Sequence, residues 1–232
     1  MTHAPDKSAL AAQMTKLWQP LTADERTLFL EHLQVLSCTL QQTLFDRGDE
    51  ATCIYYLLEG RATLYGGERN ADELIVRMVE PGSIFGVRAA FSGGSCTERC
   101  VAEKDSVVAL VPLTIVSRLI WENPQFALVF IHELSELLGT SVNYTIHLTQ
   151  KNIRGRLAES LLRMKEKYGV ESDGQTLAVY LSRSDMALMS NMSTSNAIRT
   201  LSSFASEGII RFVGRKISIV DEKALRQASQ LC

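Results

Sequence analysis

The sequence predicts an α+β protein made of an N-terminal β-barrel of jelly-roll type, a long helix and a C-terminal winged helix-turn-helix. Three observations predict it. Between about 37 and 112, short apolar runs are punctuated by glycines, the texture of regularly spaced strands and turns. From Asn123-Pro124 to about 150, apolar residues recur in steps of three and four, and no proline follows 124. Beyond Ser182 come a capped helix, a tight turn, a second capped helix and a hairpin.

Composition is compatible with this layout. A chain of 232 residues with 46% hydrophobic and 22% charged residues has room for two cores and excludes general disorder. The opening Met1-Thr2-His3-Ala4-Pro5-Asp6 has no signal-peptide pattern, and no apolar run is long enough to span a bilayer, which predicts a cytoplasmic protein without membrane contact. Five cysteines, an odd number, read as cytoplasmic thiols rather than a disulfide framework. The net charge of −2 hides a split, −7 over residues 1–150 against +5 over 151–232. A basic C-terminal third suggests a polyanionic partner, although a chance excess on a solvated surface would look the same.

In chain order, residues 1–20 read as mobile. Thr22-Ala23-Asp24-Glu25 is a capping box that opens a short helix with Leu28, Leu30, Leu33 and Leu36 on its apolar side. Strands then follow at Leu44-Phe45, Ile54 to Leu58, Ala62 to Tyr65, Leu74 to Val76 and Val107 to Val111, with Pro81-Gly82 as a turn. Pro112 closes the barrel, a short helix runs to Trp121, and Pro124 starts the long helix. Its row Ala127, Phe130, Leu134, Leu137, Ser141, Tyr144 and Leu148 has coiled-coil spacing, which makes Phe130, Leu134, Leu137, Ser141, Tyr144 and Leu148 candidates for a homodimer seam. The alternative is a helix packed on its own barrel. The domain boundaries predicted are 1–122 (sensing barrel with leading helix), 123–151 (dimerisation helix and hinge) and 152–232 (winged helix-turn-helix).

The last segment carries the chemistry. A helix spans Ile153 to Lys167, and Thr176 to Leu181 reads as a strand. Ser182-Arg183-Ser184-Asp185 is a second capping box, Asn191 tolerates the left-handed conformation of a tight turn, and Ser193 caps a helix from Thr194 to about Glu207. Its inner face is Ala197, Ile198, Leu201 and Phe204/Ala205. Thr194, Ser195 and Asn196 would face base edges from the first turn, with Arg199 one turn later; arginine reads guanine bidentately. Gly214-Arg215 joins two strand-like runs as a wing, putting Arg215 and Lys216 near phosphates. A plain helical hairpin with a solvated arginine is the bland counterpart.

This layout resembles the CRP/FNR family of bacterial transcription regulators over about 20 to 225. The resemblance rests on Gly48-Asp49, Tyr56-Leu57-Leu58-Glu59-Gly60, Pro81-Gly82-Ser83-Ile84-Phe85-Gly86, the helix after Asn123-Pro124, Asn152-Ile153-Arg154-Gly155-Arg156-Leu157-Ala158, Ser182–Leu201 and Gly208–Val220. It implies a cyclic-nucleotide-binding-like barrel, a symmetric dimer on an imperfect DNA palindrome, and RNA polymerase as a partner. It implies that Arg199 contacts guanine and Arg183 a phosphate. Thr194 and Ser195 depart from the arginine and glutamate of better-known members, which points to a different half-site.

The resemblance also places an effector site at Phe85, Gly86, Val87, Arg88, Cys96, Thr97 and Arg99, with Ser141 on the long helix. The cyclic-nucleotide branch has a glutamate after Phe-Gly and an arginine about ten residues on; here Val87-Arg88 and Cys96-Thr97 stand there, which argues against cyclic AMP. Cys38, Cys53, Cys96, Cys100 and Cys232 lack the spacing of an iron–sulfur cage, though Cys96 and Cys100 remain a redox-pair candidate. Haem stays open, with His132, His147 and Met78 as candidate ligands, although lone helix histidines are more often solvated. The effector is thus unidentified. Residues 37–112 contain no histidine, which excludes a metal-dependent enzyme on this barrel. A ligand-binding scaffold without DNA binding is the alternative of another class.

Overall fold

The computed structural model describes residues 7–67 and 74–230, with the side chains of 143, 144 and 146–150 outside the described set. The chain divides into two compact units, Met1–Gly139 and Thr140–Cys232. Among the described residues no helix is long and apolar enough to cross a membrane.

The first unit begins with α1 (Lys7–Gln13) and α2 (Thr15–Trp18), where the sequence suggested mobility. Ala11, Met14 and Leu17, spaced one helical turn apart, are buried, with Leu10 and Trp18 packed beside them; the mixed polarity of the segment is an amphipathic stripe. α3 (Ala23–His32) has the predicted capping box, with both reciprocal bonds between Thr22 and Glu25. Its fully buried side chain is Phe29, and Leu36 belongs to the next strand, because the helix stops at His32.

Six strands form one sheet: β1 (Gln34–Cys38), β2 (Thr43–Phe45), β3 (Cys53–Gly66), β4 (Leu74–Val79), β5 (Ile84–Phe85) and β6 (Arg99–Pro112), in the order β1-β6-β3-β4 with β2 on β6 and β5 on β3. The two 14-residue strands each change partner along their length. β6 pairs with β1 through Ser106–Leu110 and with β2 through Cys100 and Val101, while β3 pairs with β5 and then with β4. Register shifts between Leu57 and Ala62 bend the pair, the wrap of a jelly roll. Gly60 sits at the bend with φ +98°, and a Cβ there would lie 2.0 Å from Ser106 Oγ. That hydroxyl donates to the Lys104 carbonyl (2.7 Å) and accepts from the Arg61 amide (3.1 Å), locking the crossing.

After β5 comes the short α4 (Val87–Ser92); α5 (Leu113–Glu122) and the 27-residue α6 (Pro124–Gln150) follow β6. The second unit contains α7 (Ile153–Tyr168), α8 (Arg183–Met189), α9 (Thr194–Ser206), the hairpin β7 (Ile210–Val213) and β8 (Lys216–Ile219), and α10 (Glu222–Ser229). Thr176–Leu181 is not a regular strand; it makes isolated bridges at Thr176–Ser218 and Leu177–Val170. Leu157, Leu161, Leu201, Phe204, Ile217 and Leu225 form the core of this unit.

Candidate nucleic-acid interface and effector site

α8 and α9 are set by local chemistry. Ser182 and Asp185 exchange both bonds of a capping box, at 3.1 and 2.9 Å. α8 ends at Ser190, Asn191 takes φ +47°, and Ser193 accepts the Asn196 amide to cap α9. A left-handed residue between two capped helices turns the chain sharply. Ala197, Leu201 and Phe204 face inward, and Thr194, Ser195 and Arg199 are exposed. Ile198, expected on the inner face, is 48% exposed and joins the outer row. The rows differ because Ala197 and Leu201 are one turn apart and Ile198 trails by one residue. No bond occupies Arg199 among the described residues.

The remaining basic residues fare differently. The Arg183 guanidinium lies 4.3 Å from the centre of the Phe212 ring, stacked on the wing. Arg215 is exposed at the hairpin tip, but Lys216 is ion-paired with Glu171. Two arginines with structural roles escaped sequence reasoning. Arg154 donates to Ser203 (2.9 Å) and Glu207 (2.8 Å) and stacks on Phe204, fixing the far end of α9. The same guanidinium, with the Ser203 hydroxyl, holds the Glu207 carboxyl below its usual range. Arg156 donates to the carbonyls of Lys151 (3.0 Å), Ser190 (3.0 Å) and Asn191 (3.1 Å), tying the helix-turn-helix turn to the start of α7. Nothing local in the sequence marks these pairings, since every partner except the Lys151 carbonyl lies more than 30 positions away.

In the first unit, Phe85 is buried and stacks at 5.2 Å on Tyr55, and the next residue, Gly86, has φ +78° with the Tyr55 ring 2.8 Å from where a Cβ would be. Burial raises the Tyr55 phenol to about 12. Val87 is 1% exposed and packs in the core. Arg88 and Thr97 do come together: the guanidinium bonds the Thr97 hydroxyl and pairs with Glu98 at 3.0 Å. Arg99 instead lies over the Tyr65 ring at 4.8 Å. Ser141 is exposed in the second unit, and its carbonyl accepts from Thr145.

Cys96 and Cys100 are buried, and desolvation raises both thiols, which suppresses the thiolate that redox exchange needs. Cys232 lies outside the described residues. Among the described residues no group of three or more His, Cys, Asp or Glu could hold a metal ion. His132 is exposed and Met78 is buried, while the His147 side chain lies outside the described set.

On α6, Phe130 is 3% exposed and packs at 5.4 Å on Phe91 and 5.3 Å on Phe126 of its own chain, so it is not free for a partner. Leu134 and Leu137 are partly buried, and the side chains of Tyr144 and Leu148 lie outside the described residues. The apolar side chains left open are Leu128, Ile131, Leu138 and Val142, at 52, 58, 66 and 49%. Their row has the same coiled-coil spacing, shifted by one residue. Glu133 was also missed: it is 6% exposed and held by Lys16 at 2.5 Å.

A jelly-roll sheet domain followed by a long helix and a winged helix-turn-helix defines a DNA-binding transcription regulator. The family comparisons agree on both parts: residues 36–123 match the cyclic nucleotide-binding domain and 155–228 the Crp-like helix-turn-helix domain. The chain belongs to the CRP/FNR family of transcription regulators. It is 21% identical over 192 residues to the cAMP-activated global transcriptional regulator CRP of Haemophilus influenzae, covering 82% of this chain and 86% of that one. It is 25% identical over 198 residues to the global nitrogen regulator of Synechococcus elongatus, covering 84% and 89%. The solved structure of FixK2 from Bradyrhizobium japonicum superposes with a TM-score of 0.75 at 21% identity, over 86% of this chain and 98% of that one.

Proposed function

We propose that the protein is a cytoplasmic homodimer that reads an imperfect palindrome, with RNA polymerase as its downstream partner and a small-molecule effector other than cyclic AMP in the sheet domain. The observation that carries the DNA reading is the outer row of α9. Thr194, Ser195, Ile198 and Arg199 face solvent on a helix whose other side is buried. Arg199 would read guanine and Ile198 would meet a thymine methyl; Arg183 and Arg215 would meet phosphates. The open row on α6 supports a dimer seam through Leu128, Ile131, Leu138 and Val142, with half-sites about 10 base pairs apart. The domain division supporting this is a sensing part to 122, a dimer helix and hinge over 123–151 and a DNA-reading part over 152–232.

Several relatives are cyclic-AMP-activated, but the residues here do not suit that ligand. Val87 is a core side chain where a ribose acceptor is needed. Thr97 stands where a phosphate arginine is needed, and the neighbouring Arg88 is engaged by Thr97 and Glu98. Selection from randomised duplexes tests the DNA reading. The wild type should enrich palindromes with half-sites one turn apart, and Arg199→Ala should cost about 1–3 kcal/mol of discrimination at one symmetric base position. Unpaired half-sites, or a base preference unchanged by the substitution, would refute it.

A further inference from the structure

In the second unit two arginines lie over phenylalanine rings, and they differ in what their edges do. Arg154 lies 4.5 Å from the centre of the Phe204 ring, and its N–H groups donate to Ser203 at 2.9 Å and to Glu207 at 2.8 Å. There the ring holds the flat face of the guanidinium and a carboxylate takes the edge. Arg183, the first residue of α8, lies 4.3 Å from the centre of the Phe212 ring. Among the described residues no hydrogen bond or ion pair reaches its guanidinium. Stacking uses the face and hydrogen bonding the edge, so the two coexist, and the edge of Arg183 stands open to an anion. Nothing else fixes this cation. The first turn of a helix disfavours positive charge, and the nearby Asp185 carboxylate already accepts the Ser182 amide at 2.9 Å. The wing places the ring: β7 sets Phe212 opposite Ile217 and two residues from Ile210, which are 3% and 2% exposed, whereas Phe212 is 37% exposed. Strand alternation puts Phe212 on the face of Ile210, at the rim of the core, where it meets a cation.

Resting on the reading of Arg183 as a phosphate contact, we propose that Phe212 is the positioning residue for that contact: the wing holds the guanidinium by its face, with the N–H groups open to a backbone phosphate, before DNA arrives. A contact made from α8 is thereby set by β7, and the wing serves phosphate binding through more than Arg215 at its tip. Without the ring, the long side chain has to be ordered at each binding event. That cost falls on affinity for every duplex alike and leaves base choice untouched.

A double-mutant cycle on the full-length protein tests this, reading affinity for random duplex at several salt concentrations and referring it to the folded fraction of each variant. Arg183→Met should weaken binding and reduce the salt slope by about 1 for each head. Phe212→Leu keeps the charge and an apolar side chain, and should weaken binding about two- to fivefold for each head. In the Arg183→Met background Phe212→Leu should change nothing further. Phe212→Tyr, which keeps the ring, should bind like the wild type. Arg183→Lys keeps the charge without the planar face and should lose about as much as Phe212→Leu, so the stack is tested even where Phe212→Leu does not fold. Losses that add in the double variant would show that Phe212 touches DNA or shapes the wing on its own account, and would overturn the proposal. Wild-type affinity for Phe212→Leu or for Arg183→Lys would overturn it too. Wild-type affinity and salt slope for Arg183→Met would remove the phosphate contact itself, and the proposal with it.

Discussion

The two units handle charge in opposite ways. In the second unit, the groups assigned to DNA are largely left open: Thr194, Ser195, Arg199 and Arg215 are exposed above a buried scaffold. In the first, the arginine at the expected ligand site is engaged within the fold, Arg88 by Thr97 and Glu98. A surface that meets a polyanion gains from standing ready, since its partner is large and its contacts are many. A pocket for a small molecule gains from being quiet without it, so that binding changes something. On the proposed function, the difference makes α9 a preformed reader and the sheet domain a site whose ligand would compete with the ion pair between Arg88 and Glu98.

The largest expected effect tests whether the units are independent. Phe204 is fully buried beneath Arg154 at the heart of the second unit, and Phe126 is fully buried in the first. Phe204→Ala should cost about 3–5 kcal/mol in the second unit and abolish specific DNA binding. Phe126→Ala should cost a similar amount in the first unit. Scanning calorimetry of the full chain should show each substitution lowering a different transition. One transition lowered equally by both would break the comparison by making the units a single cooperative body.

A smaller effect is expected where the reader is braced. Arg156 satisfies three carbonyls at the turn and at the start of α7. Arg156→Met keeps the buried stem but strands those acceptors, and should cost about 2–3 kcal/mol in the second unit. Specific DNA binding should fall further than this loss of folding explains, because the turn sets the angle of α9. Specific affinity that tracks the folded fraction alone would reduce Arg156 to an ordinary stabilising residue.

What the sequence made legible was local. Both capping boxes, the left-handed Asn191 and the Gly214-Arg215 hairpin depend on residues within a few positions of one another, and each formed. The helices of 7–18 were lost because their stripe is short and pays off only against a sheet built far later in the chain. Ile198 was misplaced because adjacent positions on a helix face differ by a rotation that only the packed core resolves. The same one-residue ambiguity separates Phe130, buried on its own domain, from Ile131, open on the other side of α6. Arg154 and Arg156 look like surface charge in sequence; their roles come from partners across the fold.

Phosphate contacts sharpen the comparison at lower cost. Arg215 stands exposed at the wing tip, but Lys216 is bound to Glu171. Arg215→Ala should weaken binding to all duplexes alike and reduce the salt slope by about 1. Lys216→Ala should do less, because the ion pair must open before the ammonium can reach a phosphate. Glu171→Ala should then strengthen nonspecific binding by freeing Lys216. Equal losses from both basic substitutions, measured at several salt concentrations on random duplex, would show that the pair with Glu171 does not hold Lys216 back.

The smallest effect concerns how the second unit behaves in acid. Asp173 receives bonds from the Thr176 hydroxyl, the Thr176 amide and the Gln175 amide, and these hold its carboxyl at about 2, below the ordinary 3.8. A carboxyl whose folded pKa is depressed binds fewer protons in the native state than in the unfolded state. Its stabilisation is therefore complete above the unfolded value and is lost as pH falls through the folded one. Asp173→Asn should leave the second unit less stable by an amount that is constant at neutral pH. The gap should then close as pH falls from 3.8 towards 2. The group is exposed, so the effect is modest and salt should reduce only the part owed to Arg211, whose charge acts on it last among the causes. A stability gap that does not change across that window would mean the turn is held by the geometry of its hydrogen bonds and not by the carboxylate charge.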